Sequence, residues 1–162
     1  MNYTIQVAKH IRDVHFGGNW TSVCLKDQLS GLTWIQATRQ LHDFNTIAAL
    51  VYHMNYYVEA ISQVLRGRPL SSKDQFSFNH PPITSQADWE RLVGKTFIDA
   101  ENLATLVEQL PDSRLAENFY AEKYGSYYRN LIGVIEHIHY HLGQVVLIKK
   151  MLFKENKNLE KP

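Results

Sequence analysis

Apolar residues recur at intervals of three and four positions in four segments of the chain, a spacing that predicts amphipathic helices. The segments cover residues 2–15, about 35–66, 84–110 and about 126–154. The third is the clearest, because its apolar positions step regularly from Trp89 to Leu110 before Pro111 stops the pattern. Strand signals are weak, since no Asn-Gly or Asp-Gly turn joins alternating runs. The pattern therefore predicts an all-α fold, a four-helix bundle.

Two connections between these segments are long, at residues 16–34 and 67–83, and long connections permit crossovers in a bundle. The first is expected to hold a short helix near residues 22–29. In the second, Phe76 and Phe78 are expected to pack against one end of the bundle. We expect a single domain over residues 1–154 and a polar, disordered tail over residues 155–162.

Composition narrows the class of protein. The 162 residues include 17 Lys and Arg against 16 Asp and Glu, so the charge balance gives no support for a nucleic-acid partner. The single cysteine, Cys24, excludes an internal disulfide and any Cys-x-x-Cys motif. The start of the chain lacks the pattern of a signal peptide, and polar residues interrupt the apolar stretch at 131–148. We expect a soluble, cytoplasmic protein without a membrane span.

Three of the eight histidines lie within five positions, and which of them share a face depends on the backbone conformation. In a strand, His137, His139 and His141 would share one face. In a helix, which the surrounding pattern favours, His137 and His141 lie about 40° apart, whereas His139 points about 160° away from them. Two imidazoles one helical turn apart can bind the same metal ion. The spacing predicts His137 and His141 as metal ligands.

A third ligand is expected from the second predicted helix, which contains His42 and His53. These two lie about 16 Å apart along the helix axis, so only one can reach the pair. His53 is favoured, because an unpaired imidazole between Val51 and Met54 would be costly. Three further side chains are expected to orient the ligands or to reach the site. Asn130 and Gln144 lie on the helix face that carries His137 and His141, and Tyr56 is close to His53.

Other interpretations of the histidines stay open. Each of them can be a hydrogen-bonded structural residue at the edge of the core. Glu136 and His139 match the Glu-x-x-His unit of di-iron bundles, but no second such unit occurs in the chain. No residue stands out from the sequence as a general base, so the catalytic residues are unknown.

At these positions the chain resembles the DinB-like (DinB/YfiT-like) superfamily of metal-dependent enzymes. The resemblance rests on LVYHMNYY, with a lone histidine on the second long helix, and on the last-helix motif HIHYHLGQ. It extends from the first helix to about Met151. It implies a metal triad of His53, His137 and His141, a bundle with crossover connections, and a homodimer.

The resemblance also implies a function, since characterised relatives are transferases or isomerases that use a low-molecular-weight thiol. We expect one divalent ion, for which the three nitrogen ligands suit Zn²⁺ or Ni²⁺. The ion would activate a thiol cosubstrate, or water, toward a small-molecule substrate. The alternatives are a metal-dependent hydrolase and a non-catalytic helical protein in which the metal or the histidines are structural.

Overall fold

The computed structural model describes residues 2–159, with side chains as far as residue 154. This part of the chain contains six α-helices and no β-strand, only an isolated bridge between Asn118 and Ser126. The protein is therefore all-α, as the sequence predicts. The helices are α1 (Tyr3–Phe16), α2 (Leu25–Leu29), α3 (Trp34–Thr38), α4 (Ile47–Leu65), α5 (Gln86–Glu108) and α6 (Tyr127–Leu159).

Side-chain caps determine where the helices begin, close to the positions that the sequence pattern predicts. Ser85 accepts a hydrogen bond from the amide of Asp88 at the start of α5, and Asn2 caps α1 through the amide of Ile5. A carboxylate from a distant turn adds to the second cap, because Asp112 accepts from the amides of Tyr3 and Thr4, each at 3.0 Å. The first, third and fourth predicted helices thus occur close to their expected positions.

The second predicted helix is interrupted, so the expectation of one helix over residues 35–66 is wrong. Residues 35–38 belong to α3, and the chain leaves the helical path before α4 begins. In the break His42 adopts a positive φ of 48°, and the Phe44 amide donates to the carbonyl of Leu41 at 3.1 Å. The Thr46 hydroxyl then accepts from the Ala49 amide and starts α4.

The four long helices enclose one hydrophobic core. Both α1 and α4 pack against α5 and against α6, whereas α1 with α4 and α5 with α6 make at most marginal contact. Trp89 of α5 is fully buried, and its indole Nε1 donates to the carbonyl of Leu32 at 3.0 Å. This contact fixes the connection between α2 and α3 against the core.

The last helix is the longest, and its inner face supplies Leu131, Ile138, Leu142, Val145 and Leu152 to the core. Over Tyr127–Lys154 it is also long and apolar enough to cross a membrane, with 39% of its most apolar window buried in the protein. The core helix of a soluble protein has the same properties. Of the predicted tail, residues 160–162 and the side chains of residues 155–159 lie outside the described part.

Candidate metal centre

Two helices bring three histidines together. On α6, His137 and His141 are one turn apart and lie beside the buried residue Ile138. On α4, His53 lies between the buried residues Val51 and Met54 and faces α6. Burial of these apolar neighbours fixes the rotation of both helices, so the three imidazoles meet where α4 packs against α6.

The three rings are close enough to share one ion. The centroid of His53 is 4.8 Å from those of both His137 and His141, and the latter two are 4.5 Å apart. The Nε2 atoms of His53 and His137 are separated by 3.0 Å, near the roughly 3.3 Å expected for two nitrogens on one tetrahedral Zn²⁺. One nitrogen from each histidine lies within 4.8 Å of the others.

The hydrogen bonding of His141 suits a ligand. Its Nδ1 is 2.9 Å from Oε1 of Gln144, and a carboxamide oxygen can only accept, so Nδ1 carries the proton. Nε2 of His141 is then the unprotonated nitrogen, and its lone pair is free for a ligand. Gln144 was expected from the sequence to orient a histidine, and the structure places it in contact with His141.

The environment of His53 and His137 favours the neutral ring, which is the metal-binding form of histidine. Burial, followed by the neighbouring His141 and His53, lowers the pKa of His137 to about 4. Burial and then His141 also lower the pKa of His53. Nδ1 of both His53 and His137 is buried without a hydrogen-bond partner of good geometry among the described residues. Two buried imidazoles whose facing Nε2 atoms have only each other as partners within the described part of the chain, next to Nε2 of His141, fit a divalent cation better than they fit a fully satisfied polar core.

Aromatic rings from α4 and the following connection cover the histidines. Phe78 stacks on His53 with a centroid distance of 3.8 Å and an angle of 9°. The edge-on ring of Tyr57 lies 4.8 Å from His137 and 5.1 Å from His53. Its hydroxyl donates to the carboxylate of Asp74. Phe78, expected to pack at one end of the bundle, forms one wall of the cluster.

His139 and His42, which the sequence separated from the ligands, lie elsewhere. His139 is on another face of α6, and its pKa is lowered by burial and then by the nearby His10. His42 is exposed in the break between α3 and α4, with its ring 6.2 Å from that of Phe44. The expectation that His42 shares a helix with His53 is therefore wrong, although the preference for His53 as the partner of His137 and His141 agrees with the geometry.

Two other expected residues do not contact the histidines. The amide nitrogen of Asn130 donates to the carbonyls of Tyr124 at 2.9 Å and Ser126 at 2.8 Å, because Asn130 lies in the first turn of α6. The hydroxyl of Tyr56 donates to the Lys73 carbonyl and accepts from the Lys73 amide. The expectations that Asn130 orients a ligand and that the Tyr56 hydroxyl reaches the histidines are therefore wrong, because both side chains bond to backbone groups.

A cavity of about 570 Å³ opens next to His137, and Asn130 and Tyr56 line it together with Tyr57 and Asp74. Its volume is that of a small-molecule site. Gln144 lines a different pocket of about 230 Å³ on the far side of the cluster. The centre thus has an open side at His137.

Tyr57 and Asp74 are the site residues that sequence reasoning missed. Tyr57 follows His53 by four residues, so helical spacing places both on one face of α4, and this signal could have identified it in place of Tyr56. Asp74 begins a short 3₁₀ turn within the long second connection. No periodicity relates such a turn to a helix, so the sequence carried no signal for Asp74.

Comparison of the chain with protein-family models, with curated proteins and with solved structures gave no match in any of the three.

Proposed function

We propose that the protein binds one divalent cation, Zn²⁺ or Ni²⁺, through His53, His137 and His141, and uses it to activate a low-molecular-weight thiol. The observation that carries this proposal is the convergence of three imidazoles from two helices, with one nitrogen of each within 4.8 Å of the others, next to an open cavity. A set of three nitrogen ligands with an open side is the usual arrangement of a catalytic metal, whereas structural zinc sites have four protein ligands.

We also propose that α1, α4, α5 and α6 form a four-helix bundle of the DinB-like type with crossover connections. The helix contacts support this arrangement. The marginal contact of α1 with α4, and of α5 with α6, indicates that these successive long helices lie diagonally across the core. The chain would then cross one end of the bundle twice, in the segments that precede α4 and α6.

The residues around the cluster have separable roles in such an enzyme. Gln144 fixes the tautomer of His141, while the rings of Phe78 and Tyr57 pack against those of His53 and His137 and hold them in position. When bound, a divalent cation lowers the pKa of a coordinated thiol or water, so that a nucleophilic anion is available near neutral pH. In the transfer, sulfur bonds to a carbon of the electrophile, the leaving group departs with its electron pair, and the thiol proton passes to solvent.

We further propose that the protein is soluble and cytoplasmic and that α6 is a core helix. Its apolar residues Leu131, Ile138 and Leu142 are buried against other helices. In a lipid bilayer, its three clustered histidines would lie in mid-span, where polar groups are energetically costly.

The test of function combines metal content with turnover. Protein purified without an affinity tag is analysed for metal, loaded with Zn²⁺ or Ni²⁺, and assayed with a panel of cellular thiols and monochlorobimane as electrophile. We expect one metal per chain and thiol transfer that His137→Ala abolishes and His139→Ala retains. Metal binding without transfer for any thiol would contradict thiol activation and favour a hydrolase or a structural metal.

A further inference from the structure

The cavity beside His137 extends along α6 as far as Arg129. These two residues are eight positions apart, which corresponds to about 12 Å along a helix. Between them the walls are largely apolar and aromatic, formed in part by Tyr57, Phe119 and Tyr124. The cavity is thus an elongated space with the histidine cluster at one end and a guanidinium at the other.

The charges along this cavity are separated. Asp74 and Glu136 line it at the histidine end, where their negative charges would offset a divalent cation. Arg129 is the only lysine or arginine among the described lining residues, and within the described part of the chain no carboxylate forms an ion pair with it. A guanidinium that faces a cavity without a carboxylate partner is suited to bind an anion from solution.

The backbone at the start of α6 supports the position of Arg129. Gly125 has a φ of +72°, and a Cβ built on it would lie 2.9 Å from Cδ of Arg129. The aliphatic stem of Arg129 therefore lies directly against Gly125, a place that any other residue would occupy with its side chain. This packing holds the stem of Arg129 against the turn that precedes α6, where Arg129 lines the cavity.

We propose that this cavity binds an elongated carboxylic acid, with its carboxylate on Arg129 and its other end, which carries the reacting group, at the histidine cluster. The proposal rests on the proposed function, because it assigns the substrate class of that same site. Arginine presents two parallel N–H donors that match a carboxylate. The aromatic walls bury the apolar middle of the ligand, and the length of the cavity selects molecules long enough to reach both ends.

The test uses thiols that differ only at the end remote from sulfur. Protein loaded with Co²⁺ is titrated with ω-mercaptooctanoate and with ω-mercaptooctanol, and the sulfur-to-cobalt charge-transfer band reports binding. We expect the acid to bind at least about tenfold more tightly than the alcohol, as a charge-assisted hydrogen bond would provide. Arg129→Gln should remove this preference, and Arg129→Lys should retain part of it.

Two controls make the result specific. Lys150→Gln changes the net charge equally on an exposed part of the same helix and should leave the preference unchanged. Mercaptopropanoate is too short to reach Arg129 from the histidines, so its affinity should not respond to Arg129→Gln. Equal affinity of the long acid and alcohol in the unaltered protein, or a preference that survives Arg129→Gln, would overturn the proposal.

A metal-free measurement separates this inference from the proposed function. Calorimetric titration of the metal-free protein with octanoate should show binding that Arg129→Gln weakens about tenfold. If no thiol gives a cobalt band while octanoate binding still depends on Arg129, the carboxylate site stands and thiol activation is wrong. If thiols give the band but neither titration depends on Arg129, the carboxylate site is wrong and thiol activation stands.

Discussion

A single hydrogen bond, from Nδ1 of His141 to Oε1 of Gln144, determines which nitrogen of His141 faces the other two histidines. Gln144→Ala removes the acceptor, so we expect Zn²⁺ affinity to fall about 10- to 100-fold, the usual effect of losing a group that orients a metal ligand. Calorimetry measures this loss directly. Gln144→Glu keeps an acceptor and should retain the affinity. If both variants lose affinity equally, Gln144 acts through packing and not through this bond.

His15 gives the protein a pH dependence that is independent of the metal centre. It is fully buried, donates from Nδ1 to the Ile11 carbonyl, and has a pKa lowered by burial from 6.5 to about 4. The folded protein keeps His15 neutral where the unfolded chain takes up a proton. The contribution of His15 to the free energy of unfolding should therefore be constant above pH 6.5 and fall by about 3 kcal/mol as the pH drops toward 4.

Urea denaturation of the metal-free protein between about pH 4 and pH 7 gives the free energy of unfolding of each variant, and the difference between variants measures the contribution of His15. His15→Leu should lose about 3 kcal/mol of the acid-induced decrease, because it has no group to protonate, while His137, whose pKa is also lowered to about 4, retains its own share. The exposed His10 provides the control, since His10→Leu should retain the decrease. An identical pH profile for His15→Leu and the unaltered protein would show that His15 is not the responsible group.

For individual residues, the sequence predicted those positions of the candidate site that follow from helical spacing. His137 and His141 follow from their separation of four residues, and His53 from its apolar neighbours. Asn130 shares their stripe but is drawn to the carbonyls of Tyr124 and Ser126. The helix face on which a residue lies predicts the direction of its side chain but not its hydrogen-bond partner. For that reason the sequence did not predict the contacts of Asn130.

At the scale of elements, the break between α3 and α4 is the feature that periodicity did not predict. Residues 35–66 contain neither Pro nor Gly, so nothing in helix propensity forbids a continuous helix. The competing interactions are local: the Gln40 side chain donates to the Phe44 carbonyl at 3.2 Å, and Thr46 caps α4. Polar side chains that bond to nearby backbone groups can end a helix without a Pro or Gly signal.

The Thr46 cap can be tested by substitution. Its hydroxyl accepts from the Ala49 amide at 3.1 Å, so Thr46→Ala should lower the free energy of unfolding by about 1 kcal/mol. Thr46→Ser keeps the hydroxyl and should cost little. Thermal or urea unfolding measures both variants, and equal stability of Thr46→Ala and the unaltered protein would mean that the break does not depend on this cap.

At the scale of the whole molecule, the exposed aromatic residues bear on assembly. Trp34 packs partly against the core, whereas Phe76 and Phe78 remain 46% and 39% exposed. Trp20 is fully exposed, and Tyr140 on α6 is 65% exposed. We predict a homodimer, because exposed aromatic rings are enriched at protein interfaces. Light scattering at micromolar concentration should give twice the chain mass of 18.8 kDa; the mass of one chain would contradict the prediction.

The all-α class and three of the four long helices were predictable because long amphipathic segments reveal their period. The cavity beside His137 was not, because it forms where α4, α6 and the 3₁₀ turn at Asp74–Phe76 approach one another. Such a space depends on tertiary packing, and one sequence gives no measure of it. The candidate metal ligands were therefore predictable, and the candidate substrate site was not.

The central claim, that His53, His137 and His141 bind one ion, is tested most directly by calorimetric titration of the tag-free, metal-free protein with Zn²⁺. We predict one Zn²⁺ per chain. His53→Ala, His137→Ala and His141→Ala should each weaken binding roughly a hundredfold or more, while His139→Ala and His42→Ala should stay within a few-fold of the unaltered protein. Loss of binding in His139→Ala with retention in His137→Ala, or no Zn²⁺ binding at all, would contradict the account.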